Sequence, residues 1–344
     1  MIKRHQWILA VGLLFASTLV AHPAHADVSP GGGNQGGGET QTENKRESQT
    51  LSSRITFKGA TAGPGGKSGI ITPVGNWTPP ACWYEPYSAD EFAKDTERGF
   101  HMVADDPRQP NYAKRSVGEF RDIYKDGKYK NYNKGKGDEG SWWVAKRDPD
   151  RWLEDAAQKC DRQPFWVENG DPVDDPHAVS PEILAQLAYN KIKLPDTKVT
   201  LAPAGASKVN LPAWAWLDKA KFKKVSVSAA LNAQGVNIQA TTTARPVALK
   251  LEPGTGEART FPGSGICRIK GDGSIGEPYA KGKAEQDPPC GVAYLRKGSY
   301  DLTATVTWEV SWEGTGEPGP NKLPDGSFGN EQQVVVEEVQ SVNR

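Results

Sequence analysis

Tyr300, Leu302, Ala304, Val306, Trp308, Val310 and Trp312 occupy every second position of one stretch, with Asp301, Thr303, Thr305, Thr307, Glu309 and Ser311 between them. Successive side chains of an extended strand point to opposite faces, so this spacing commits the stretch to a strand with one face buried. Trp308 and Trp312 fall on the apolar face and are expected in a core. The same period of two recurs through Val225, Val227, Ala229 and Leu231, through Val236, Ile238 and Ala240, and through Val247, Leu249 and Leu251. Val334 and Val336 suggest a last strand. Short strands separated by Gly/Pro turns predict an antiparallel β-sandwich over residues 196–344.

Residues 70–195 read differently, as a helical and irregular region, which makes the chain α+β. Ser88-x-x-Glu91 is a capping box and predicts a helix to about Arg98, ending at Gly99. Asp148-Pro149 places a cap and a first-turn proline before Trp152, Ala156, Ala157 and Cys160, which share a helical face. Ser180-Pro181 does the same for Ile183, Leu184, Leu187, Ala188 and Ile192.

The first 26 residues have the form of a secretory signal: Lys3 and Arg4, a 15-residue apolar run over 7–21, then Ala24-His25-Ala26. Cleavage there starts the mature chain at Asp27. Residues 27–69 are rich in Gly, Ser, Thr and Gln and predict a disordered linker. Within it, Gly63-Pro64-Gly65-Gly66-Lys67-Ser68 approaches a phosphate-binding loop. The first glycine of that motif falls on Thr61, however, and neither a buried strand nor a helix flanks it, so no nucleotide is expected. Leu323-Pro324-Asp325-Gly326 lacks the Thr-Gly step and the apolar tail of a wall-sorting signal.

The 42 Lys+Arg against 42 Asp+Glu exclude a uniformly basic nucleic-acid binder. No apolar run reaches the roughly 18 residues of a span, so no transmembrane segment is expected after signal cleavage. Cys82, Cys160, Cys267 and Cys290 form an even set in an exported chain and predict two disulfides, with three possible connectivities. Closeness in sequence favours Cys82–Cys160 and Cys267–Cys290.

Trp77-Thr78-Pro79-Pro80-Ala81-Cys82-Trp83-Tyr84-Glu85-Pro86 resembles a block in exported actinobacterial proteins of unknown function, which are sometimes labelled ATP/GTP-binding. Val209-Asn210-Leu211-Pro212-Ala213-Trp214-Ala215-Trp216-Leu217 resembles a second block of the same proteins. Tyr294, Lys297-Gly298-Ser299-Tyr300 and the alternating run after them are similar to the final strands of a PKD-type domain. The resemblance implies an immunoglobulin-like sandwich and brings no catalytic site.

Catalytic motifs are sparse. His5, His22 and His25 leave with the signal, so a His-dependent hydrolase is restricted to His101 or His177. Neither G-x-S-x-G nor H-E-x-x-H occurs. Asp171, Asp174 and Asp175 lack the spacing of a calcium loop, and no metal or cofactor is expected. Glu85, among Trp83, Tyr84 and Tyr87, is the leading acid for sugar hydrolysis, set against a carboxylate simply bonded to nearby amides.

Residues 108–137 carry nine bases against three acids, a net of +6, interleaved with Tyr112, Phe120, Tyr124, Tyr129 and Tyr132. Bases with aromatics suit anionic polymers or glycans, through attraction plus stacking. The binding candidates are Lys125, Lys128, Tyr129, Lys130, Tyr132, Lys134, Trp142 and Trp143. Alternatively, this segment offsets the acidic residues of 309–338. The sequence therefore points to a secreted, non-enzymatic envelope or extracellular protein with a binding or structural role. Its partner would be cell-wall polymer or another envelope protein. A secreted hydrolase of envelope polysaccharide or peptide is the second reading.

Overall fold

A computed structural model describes residues 53–59, 68–218, 222–270, 272–283 and 285–339. The predicted signal peptide, most of the predicted linker and residues 63–67 of the glycine-rich loop lie outside the described residues. The first elements among the described residues are three short strands, β1 (Thr56–Gly59), β2 (Ser68–Ile70) and β3 (Thr72–Pro73). Next come β4 (Cys82–Tyr87), α1 (Ala89–Ala104), α2 (Asn111–Lys125), β5 (Gly140–Arg147), β6 (Phe165–Glu168) and α3 (Pro181–Tyr189). Four short strands follow: β7 (Lys193–Pro195), β8 (Thr200–Ala202), β9 (Ser207–Lys208) and β10 (Ala213–Leu217). Then come β11 (Val225–Ala233), β12 (Val236–Glu252), β13 (Ala258–Phe261), β14 (Ile266–Arg268) and β15 (Ile275–Gly276). The last three are β16 (Gly291–Tyr294), β17 (Gly298–Gly314) and β18 (Glu317–Glu337).

Two sheets dominate. The larger has the order β1-β11-β12-β17-β18-β3, with β14 on β12 and β9 on β18; the smaller has the order β13-β16-β10-β15, with β8 on β10. Leu302, Ala304, Val306, Trp308, Val310 and Trp312 of β17 are all buried, as their alternation requires. They share one apolar core with Ala213 and Ala215 of β10 and Val292 of β16. Cys267 lies in β14 and Cys290 directly precedes β16, so their disulfide ties the two sheets together. The second disulfide joins Cys82 and Cys160. The chain is thus α+β, with several antiparallel sheets.

The division at residue 196 is not a seam in the packing. Leu184, Ala185, Leu187 and Ala188 of α3 belong to the same core as β11, β12 and β17, and Thr242 Oγ1 donates to the Ala185 carbonyl at 2.7 Å. The linker boundary at 69 also moves. β1 pairs with β11 from Thr56↔Ala230 to Gly59↔Val227, and β2 pairs with β7.

A smaller unit stands beside these sheets. β4, β5 and β6 form a three-stranded sheet whose one face meets α1 and α2. The capping box of α1 forms in both directions between Ser88 and Glu91. The helix then continues through the buried Gly99 to Ala104, past its predicted stop. An interior glycine costs a helix only about 1 kcal/mol, which tertiary packing overrides.

The predicted helix after Asp148 is reduced to a single 3-10 turn over Asp155–Gln158. Asp148 instead accepts from the Asp150 amide, and Arg151 bonds the Pro79 carbonyl at 3.0 Å. This leaves Trp152 57% exposed rather than packed on an apolar face.

Candidate functional site

The basic segment is folded around one carboxylate. α2 starts at Asn111 without a side-chain cap and buries only Val117 and Tyr124, so its helical signal is weak. Arg121 Nε and Lys125 Nζ both reach Glu97 of α1 at 2.8 Å, and the Tyr132 hydroxyl donates to the same carboxylate at 2.7 Å. Burial alone raises the Glu97 pKa, but the bonds from Arg121, Lys125 and Tyr132 outweigh it and hold the carboxyl down at about 2. Glu97 is therefore the ionised hub of α1, α2 and the turn after α2.

That turn is strained. Lys130, Asn131, Tyr132 and Asn133 have φ of 44°, 49°, 60° and 58°, in the left-handed region that L-residues seldom enter and almost never in succession. Each such residue costs on the order of 1 kcal/mol, so surrounding contacts must impose the geometry. Here they do. The Tyr132 ring is buried against Phe92, its hydroxyl is fixed by Glu97, and its carbonyl accepts from Trp142 Nε1 at 2.8 Å. The Asn133 amide donates to the Tyr129 carbonyl.

These placements divide the predicted binding residues. Tyr132, Trp142 and Trp143 are buried. Trp142 packs against Phe92, Tyr124, Tyr129 and Trp166, so its ring faces are covered by protein and not offered to a sugar. Tyr129 is half-buried, stacked on Tyr124 with Lys128 Nζ 5.0 Å from its ring centre. Lys125 is spent on Glu97, and Lys134 pairs with Asp90 at 3.2 Å. Lys128 and Lys130 project outward, and the Lys130 ammonium donates to the Asp126 carbonyl at 3.3 Å. Among the described residues, Lys114, Arg115, Lys128 and Lys130 have no carboxylate within 4 Å. Among the described residues, the bases that are paired find their acids on α1, α2 and β6, in the α1–α2 connection and beside β5, not on the acidic C-terminal strand.

Glu85 is fully buried. It accepts from Trp83 Nε1 at 2.7 Å, Ser53 Oγ at 2.5 Å and the Arg54 amide at 3.0 Å. This is the bonded carboxylate set against the hydrolytic acid, and it is sealed from solvent. Lys146 lies near it on the adjacent strand, buried, with its Nζ 4.4 Å from the Tyr87 ring centre and no hydrogen-bond partner among the described residues. Burial pushes the Lys146 amine down to about 8, against the opposing pull of Glu85.

His101 and His177, the two histidines outside the predicted signal, are held by neighbours. His101 Nδ1 lies 3.0 Å from Asp105 on the exposed end of α1. His177 donates its amide to Asp175, which also stands 3.9 Å from Arg162.

Sequence reasoning did not single out Glu97, Arg54 or Lys146 as functional residues. The partners of Glu97 come from 24 to 35 residues away, a distance no local motif spans. Arg54 carried a faint signal, the Ile55/Phe57 alternation inside an otherwise polar leader. Comparison with family models, curated proteins and solved structures gives no match to this chain.

Proposed function

We propose that the chain is an exported envelope protein that binds anionic polymer through α2 and the turn that follows it. The observation that carries this reading is the set of cations left without a carboxylate: Lys114 and Arg115 near the start of α2, Lys128 and Lys130 just beyond its end. Two of them sit on or beside a backbone turn strained into place, which lowers the entropy lost when they bind. Ten residues of α2, Ser116 to Lys125, lie between the two pairs, about 15 Å of helix at 1.5 Å per residue, a spacing suited to a repeating polyanion rather than one small anion. Export through the predicted signal ending at Ala26 belongs to the same proposal. Two disulfides are compatible with an oxidising compartment. A relation to exported actinobacterial proteins, suggested by the two sequence blocks, and a PKD-like fold for the sheets are part of the same proposal.

The test is binding of fluorescently labelled teichoic acid between 50 and 300 mM salt. A chain carrying Lys114→Gln, Arg115→Gln, Lys128→Gln and Lys130→Gln is expected to bind about tenfold more weakly at 50 mM. Its log–log salt slope should flatten by roughly 2 to 3, as released counterions require. An unchanged slope removes this surface from the reading.

A further inference from the structure

Residues 53–59 hold the body of the protein through a compact set of contacts. Four residues of β1 extend the large sheet by pairing with Val227, Ser228, Ala229 and Ala230 at the edge of β11. The side chains of β1 are exposed, so this half of the arm is attached chiefly through its backbone.

The other half is a side-chain anchor. Ser53 Oγ and the Arg54 amide take the two oxygens of Glu85. The Arg54 guanidinium lies 4.0 Å from the Tyr87 ring centre, donates to the Pro86 carbonyl at 3.2 Å, and pairs with Glu91 at 2.8 Å. Ile55 enters the core.

The body's side of this contact is a slot: two carboxylates, an aromatic wall and a free strand edge. Glu91 is fixed there independently of the arm, by Ser88 in the capping box and by Gln234 at 3.3 Å. The combination of strand addition with a planar, forked cation held by a carboxylate, a backbone carbonyl and an aromatic face is a peptide-recognition geometry. We infer that the slot formed by Glu85, Tyr87, Glu91 and the edge of β11 is a docking site for an extended Ser-Arg-Ile segment, filled by the chain's own residues 53–59 and able to accept the same segment of a second copy. Every contact is made by seven consecutive residues and is reproduced when an identical stretch arrives from outside, the condition for exchange between copies.

Binding from outside competes with the tethered arm, whose effective concentration is high. Weakening that arm therefore raises the apparent affinity for an added one. The probe is a fluorescein-labelled peptide of residues 51–59, Leu-Ser-Ser-Arg-Ile-Thr-Phe-Lys-Gly, followed by anisotropy against the full chain at 0.15 M salt. The full chain carrying Arg54→Ala is expected to bind this peptide at least tenfold more tightly than the unaltered chain does. Adding Glu91→Gln to that chain should erase most of the gain, and a peptide carrying Arg54→Ala should bind neither protein. If Arg54→Ala prevents folding, Arg54→Lys, which keeps the charge but loses the fork, should give a smaller gain in the same direction. Equal binding to altered and unaltered chains, or binding to neither, overturns the inference.

Discussion

The Tyr132 hydroxyl donates a 2.7 Å hydrogen bond to Glu97 Oε1, the oxygen that also receives the Lys125 ammonium at 2.8 Å. A residue in a left-handed backbone conformation is thereby fixed to a helix 35 positions earlier in the chain. Glu97→Gln should destabilise the protein by about 1–2 kcal/mol, because charge-assisted bonds weaken and the site is only partly shielded from solvent. The sign with pH follows from the depressed carboxyl. Its folded value of about 2 lies below the ordinary 4.5, so its contribution is complete above about 4.5 and fades as pH falls toward 2. Urea unfolding of both chains at pH 7 and pH 3 checks this: their difference should narrow at the lower pH.

Lys146 predicts a pH response of the same sign in a more alkaline window. Its folded value of about 8 lies below the ordinary 10.5. Its contribution to stability is therefore present above about 10.5 and lost as pH falls through 8. At pH 7 the native state holds a buried ammonium with no hydrogen-bond partner among the described residues. The gap between the two values corresponds to about 3 kcal/mol, an upper scale for what its removal recovers. Glu85 keeps its three donors from Trp83, Ser53 and Arg54 when the lysine is gone. Lys146→Met should thus stabilise the protein by roughly 1–3 kcal/mol at pH 7, with the gain shrinking as pH rises toward 10. Denaturant midpoints across pH 6 to 10 decide it.

The Cys267–Cys290 bridge closes a short loop, with a sequence separation of 23, and joins β14 of the large sheet to the residue before β16 of the smaller one. Replacing both cysteines by alanine should cost about 2–4 kcal/mol, mostly by freeing the unfolded chain. Non-reducing peptide mapping should recover Cys267 with Cys290 and Cys82 with Cys160. Recovery of any other pair contradicts the arrangement of the two sheets.

Much of the large sheet was legible because its buried face repeats every two residues, most plainly in β17. The prolines concealed β18. Only Val334 and Val336 pointed to it, and Pro318, Pro320 and Pro324 fall inside it; among the described residues that strand has a long partner in β17 and meets the two-residue β3 and β9 on its other side. Edge positions and register breaks tolerate a residue without an N–H, and the register shifts between Trp308 and Val310, where Pro324 and Asp325 are set. Pro246 sits at a similar shift inside β12, which joined two alternating runs that read as separate strands. For the site, charge and aromatic content located the 108–137 segment but not its use. Whether a tyrosine faces solvent or core depends on the partner that covers it, and Glu97 and Phe92 come from another helix.

Gly326 offers a stringent test of how β18 meets the rest of the molecule. It pairs with Pro73 of β3, while the Val74 amide donates to the neighbouring Asp325 carbonyl at 2.8 Å. A Cβ at Gly326 would lie 2.2 Å from Ile71 Cδ1 and 2.8 Å from the Tyr189 hydroxyl. Ile71 and Tyr189 are both buried, so neither side chain can swing into solvent to make room. Gly326→Ala should therefore cost about 1–3 kcal/mol through overpacking, and more if β3 is forced off the sheet edge. Gly263→Ala is the matched control, since nothing lies within 4 Å of its Cβ position, and it should change stability by less than about 0.5 kcal/mol. Chemical denaturation of the two variants side by side distinguishes a close contact from a general intolerance of glycine replacement. Equal stability of the two would mean that β3 and α3 do not pack on β18 as described.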